Sequence, residues 1–141
     1  MIEVRFSRAS EAPAARRDDV TASDFERVGG EAGLRAIIDD FLDRVFGDVM
    51  IGYLFDGKPQ ARIRELEYRY AAEHLGADVR YEGRPLAEAH RASQIFDGHF
   101  ARRMWLLRES LESHQVPIDV AARWLAHNEA QRNHVLAGSC R

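Results

Sequence analysis

Six histidines and one misplaced carboxylate are the residues of this 141-residue chain that could do chemistry. A neutral imidazole can ligate a metal, and the same ring exchanges a proton near neutral pH. The histidines are His74, His90, His99, His114, His127 and His134. No two stand four residues apart, as the paired ligands of a helical zinc site do, and the lone cysteine, Cys140, cannot complete such a set. No nucleophile-elbow glycine pattern is present, although composition alone leaves a Ser–His–Asp or Cys–His triad open. Gly29-Gly30 lacks the further glycine and lysine of a phosphate-binding loop. His90 is set apart by its frame, Leu86-Ala87-Glu88-Ala89-His90-Arg91, between the turn Tyr81–Pro85 and a helix beginning near Phe96.

The carboxylate is Glu67. Ile63, Leu66, Tyr70, Ala71, His74 and Leu75 share one helical face, and Glu67 falls in the middle of it. An unpaired buried charge is costly, so Glu67 must find a partner or take up a proton. Two readings stand. Glu67 is a polar group facing a ligand pocket, or it leans to the helix edge and pairs with an arginine such as Arg64 or Arg103. The basic pairs Arg16-Arg17 and Arg102-Arg103 read as solvated faces, and Trp105 and Trp124 read as core.

The elements that must position these residues are helical. Ser23-Asp24-Phe25-Glu26 has capping-box spacing, and Gly29-Gly30 ends the short helix behind it. Leu34, Ile37, Ile38, Phe41, Leu42 and Val45 then make one apolar face. Gly47 and Gly52 bracket a turn into Tyr53-Leu54-Phe55, and Asp56–Pro59 is loop. A third helix spans about 60–75, with Gly76 as its C-cap. The segment 78–85 reads as a loop, with His90 on a short helix after it. Phe96, Phe100, Met104, Leu107 and Leu111 mark the next helix. Pro117 opens the last, which turns Val120, Trp124, Leu125 and Val135 inward. The chain reads as all-α, with five or six helices and short connections. Residues 1–22 read as a polar extension, with Ile2, Val4 and Phe6 alternating as in a short strand, and 23–141 as one domain.

Composition narrows the function. Apolar residues make up 45% and charged residues 30%, as in ordinary soluble domains. A net charge of -3 argues against nucleic acid as partner. No apolar run reaches the roughly 20 residues that span a bilayer, and the first residues lack the apolar core of a secretory signal. A cytoplasmic protein is the expectation.

Taken together, several segments resemble the truncated haemoglobins over about residues 25–136, most closely the first group of that family. The matching features are Val28-Gly29-Gly30, Phe41, Phe55, Leu75-Gly76, Tyr81-Glu82-Gly83, His90, Ile95, His99-Phe100 and Val116-Pro117, in the family's order and spacing. The resemblance implies a globin-like, two-over-two helical sandwich around haem b. It implies His90 as the iron ligand, with its other ring nitrogen donating to a carbonyl or to solvent. Phe55 matches the aromatic packed on the haem face. Ile63, Tyr81, Ile95 and Phe100 match pocket walls, and Arg62, with Lys58 as a weaker choice, is placed for a propionate.

On the distal side the chain departs from the family. Leu42 stands where a tyrosine is usual and Glu67 where a glutamine is often found, with Leu66 and Tyr70 beside them. Tyr68 or Tyr70 supplies the missing hydroxyl if the third helix is rotated. The implied function is binding of a small diatomic ligand (O2, NO or CO), with NO or peroxide redox chemistry and a reductase as partner. Oxygen binding and oxygen transport belong to the same family reading. The chain is then a monomer or a homodimer. The alternative of a different class is a haem-free or haem-sensing globin-fold regulatory or interaction protein.

Overall fold

The computed structural model describes residues 22–83 and 95–136. The N-terminal segment, the stretch containing His90 and the segment with Cys140 lie outside the described residues. Every regular element within them is helical. In chain order they are α1 (Asp24–Arg27), α2 (Gly30–Phe46), a 3-10 turn (Gly52–Phe55), α3 (Gln60–Leu75), α4 (Asp97–Ser113), α5 (Ile118–Glu129) and α6 (Arg132–Val135).

The capping box at Ser23 forms as its spacing predicts. The Ser23 hydroxyl accepts from the Glu26 amide at 3.1 Å, and the Glu26 carboxylate accepts from the Ser23 amide at 3.3 Å. Gly29, at φ 106°, supplies the left-handed turn between α1 and α2. Gly33 allows a close approach there: a Cβ on it would lie 2.1 Å from the Val28 carbonyl oxygen. Gly76 closes α3 at φ 99°.

Helices α2 and α3 pack as one pair and α4 and α5 as the other; α2 crosses α4 and α3 crosses α5 between the layers. The core sits where these pairs meet. All six apolar positions predicted for α2 are buried, joined by Leu75 from α3, Leu107 and Leu111 from α4, and Val120 and Trp124 from α5. Burying a side chain of this size contributes roughly 1.5–3 kcal/mol, which is why α2, lined along its whole inner face, anchors the domain. Ser110 is the small residue at the α2–α4 crossing; its buried hydroxyl donates to the Ile37 carbonyl at 3.2 Å.

Two expectations fail. Trp105 is 47% exposed, so of the two tryptophans only Trp124 is core. The pair Arg102-Arg103 is not a solvated face: Arg102 donates to Asp48 at 2.7 Å, and Arg103 turns inward. Phe96 precedes α4 and stays half-exposed, while Phe100, Met104, Leu107 and Leu111 are buried as predicted.

Candidate functional site: an apolar cavity between the helix pairs

A cavity of about 410 Å³ opens between α2, the 3-10 turn, α3, α4 and α5. Its size falls within the range of small-molecule and cofactor pockets, roughly 300–1,000 Å³. Sequence periodicity explains its walls. The register that buries Phe41 in the core turns Leu42 toward the cavity, and α3 presents Ile63, Leu66, Glu67 and Tyr70 from the facing side. Phe55 enters from the 3-10 turn, held edge-on against Phe46 at 5.3 Å. Tyr81, edge-on to Tyr70 at 5.5 Å, completes the lining with Ile95 and Phe100. Arg62 and Lys58 line it as exposed residues, placing two cations at its rim.

The structure thus gathers into one cavity every residue singled out for the site that lies among the described residues. His90 does not lie among them. Of the two tyrosines considered for the distal hydroxyl, Tyr70 lines the cavity, whereas Tyr68 is buried elsewhere beneath Arg35, 3.8 Å from its ring centre.

Glu67 settles between its two readings by satisfying both. It lines the cavity, and Arg103 donates to it at 3.0 Å. Arg64, the other partner considered, is committed to Asp39 and Asp43. Arg103 also donates to the Asn128 side-chain oxygen at 2.9 Å and lies over the Phe41 ring at 4.9 Å. Asn128 is buried, and its amide donates to the Trp124 carbonyl at 3.1 Å. Asn128 carries no local sign of this role, because the role depends on a partner 25 residues away.

Two further groups shape the site. The Tyr70 hydroxyl is buried with no hydrogen-bond partner among the described residues. Burial, reinforced by the nearby Glu67 carboxylate, pushes it up to about 12, so it remains a protonated donor at neutral pH. His99 accepts from the Phe96 amide through Nδ1 at 3.1 Å. Its Nε2–H therefore donates to the Tyr53 hydroxyl, 3.2 Å away.

This arrangement of paired helices around one cavity is a two-over-two globin fold. It superposes on the truncated hemoglobin of Tetrahymena pyriformis in its Fe(III) form with a TM-score of 0.76, at 22% identity over 82% of this chain and 98% of that one. The 2/2 hemoglobin of Synechococcus, solved with covalently attached heme, gives 0.75 at 21% identity, over 85% and 100% of the two chains. In sequence, the group 1 truncated hemoglobin GlbN of Mycolicibacterium paratuberculosis is 27% identical over 104 residues, 74% of this chain and 76% of its own length. The family model for bacterial-like globins matches residues 23–135, and this chain belongs to that family.

Proposed function

We propose that the cavity holds haem b and that the protein binds a small diatomic ligand there. The single observation that carries this reading is the cavity itself, apolar in its walls, cationic at its rim, and furnished inside with a hydroxyl donor that has no partner among the described residues. These features fit a flat apolar macrocycle with two carboxylates at one edge. Phe55, Ile63, Ile95 and Phe100 supply the apolar contact, and Tyr81 the remaining wall. Arg62, with Lys58, would meet the propionates. His90, outside the described residues, would ligate the iron through a neutral imidazole.

When bound, haem supplies an iron centre for O2, NO or CO and for one-electron redox chemistry. The chain's own residues do the rest. Leu42 and Leu66 exclude water from the distal side. The Tyr70 hydroxyl would donate a hydrogen bond to a bound ligand, and Arg103 holds the Glu67 carboxylate in an ion pair at 3.0 Å. NO or peroxide turnover would require an electron source, for which a reductase is the proposed partner. The protein is proposed to work in the cytoplasm as a monomer or homodimer; among the described residues no helix is long and apolar enough to cross a membrane.

The test is a haem titration of the purified chain, followed by absorption in ferric, ferrous and ferrous-CO states, alongside His90→Ala. A one-to-one Soret complex lost or spectrally altered in the variant is expected. A helical protein that forms no complex would move the reading to a haem-free globin-fold interaction protein.

A further inference from the structure

The polar cluster of Arg103, Glu67 and Asn128 in the cavity wall carries more than a structural ion pair. We propose that Arg103 makes the cavity select small anions over neutral ligands of similar size; the inference rests on the haem reading above.

Both hydrogen bonds that Arg103 makes, to Glu67 and to Asn128, use Nη2. Its Nη1 and Nε groups have no acceptor among the described residues, although the side chain is only 25% exposed and lines the cavity. A guanidinium carries five N–H donors in a fixed fork, so fixing one end aims the others. Here that end is fixed from three helices. Glu67 holds it from α3, Asn128 from α5, and the face of Phe41 from α2. Asn128 is itself locked to the Trp124 carbonyl, so the cradle does not depend on solvent. The unused donors are therefore oriented in advance, on a side chain that lines the same cavity as the apolar Leu42 and Leu66.

Charge points the same way. With Lys58 and Arg62 at the rim given to the propionates in the haem reading, Arg103 is the arginine left inside the cavity among the described residues, facing the carboxylate of Glu67. Hydrogen bonds to an anion are roughly twice as strong as neutral ones, and more so where water is scarce. A neutral ligand such as CO gains little from them. Glu67, 3.0 Å from the guanidinium, offsets part of its field. Removing that negative charge while keeping the side chain's shape should strengthen anion binding.

The experiment measures azide affinity of the ferric haem complex and CO affinity of the ferrous complex, in wild type, Arg103→Leu, Arg103→Lys and Glu67→Gln. Loss of one charge-assisted hydrogen bond predicts azide affinity about tenfold weaker or more in R103L, with CO affinity within about threefold of wild type because the neutral ligand draws little on that bond. R103K, which keeps a point charge without the fork, should fall between. E67Q should bind azide more tightly than wild type. Equal azide affinity in R103L and wild type overturns the inference, as do parallel losses of azide and CO. Should R103L fail to fold, E67Q decides alone: unchanged or weaker azide binding overturns the inference. A wild-type chain that forms no Soret complex removes the haem reading and this inference together. A normal complex indifferent to position 103 removes only the inference.

Discussion

His74 of α3 and His127 of α5 lie ring on ring, their centroids 4.0 Å apart and their planes 10° from parallel. Tyr70 tilts over His127 at 5.1 Å, which ties the pair to the cavity wall. Nothing in either helix taken alone announces this contact; it exists because the second helix pair closes over the first.

The pair sets an acid limit to stability. Burial holds both imidazoles below their ordinary value, and for His74 the neighbouring His127 adds to it. Glu73 near His127 and Asp24 near His74 oppose the shift, and Arg123 near His74 both opposes and adds to it, but the net direction stays downward. The unfolded chain therefore binds more protons than the folded one below about pH 6.5. Stability is fully present above that pH and is lost as pH falls through the depressed folded values. Asp48 and Asp119, held below the usual carboxylate range by Arg102 and by Arg27, lose their contributions only at lower pH. The thermal midpoint of wild type should fall between pH 7.5 and 5.5, and His127→Phe, which keeps a ring in the stack, should flatten that fall. An equal fall in the variant would place the acid sensitivity elsewhere.

Gly33→Ala should destabilise the protein, against helix propensity. In an exposed helix the change gains about 1 kcal/mol. At this position the new methyl would meet the Val28 carbonyl oxygen at 2.1 Å, and backbone cannot swing aside as a flexible side chain can. Overpacking of this kind costs about 1–3 kcal/mol. Urea denaturation gives the sign directly, and a more stable variant would show that α1 is free to shift away from α2.

Asp48 organises the turn that carries Ile51 into the cavity. One carboxylate oxygen accepts from the Met50 and Ile51 amides at 2.9 and 3.1 Å, and the other accepts from Arg102 at 2.7 Å. The side chain is 5% exposed. Asp48→Ala leaves those donors unmatched and should cost about 2–4 kcal/mol by denaturation. Asp48→Asn, which can still accept from the amides, should cost less. The comparison separates the turn's geometry from the ion pair.

Much of the fold was legible because it rests on local rules. The apolar face of α2 repeats every three to four residues, and all six predicted positions are buried. The same holds for the Ser23–Glu26 box and the Gly76 cap, which are short-range features. The parts of the cavity wall that lie on connections between the long helices, Phe55 and Tyr81, were legible through family resemblance and not through periodicity. Trp105 misled because an amphipathic pattern marks a stripe but not its edges; it falls on the exposed edge of α4. Arg103 was legible as a possible partner for Glu67, and that pairing forms, but reading it with Arg102 as a solvated face misled for the opposite reason. Two adjacent arginines look like solvated surface until a neighbouring helix offers one of them a carboxylate and an amide.

Arg103 touches side chains from the other three long helices while facing the cavity. Recognition and architecture thus share one side chain. Drift at position 103 alone would strand Glu67, and drift at 67 alone would unmask the guanidinium. Among related chains with this cluster, the two positions should change together or not at all, so a shift in what the cavity accepts would arrive as a paired substitution.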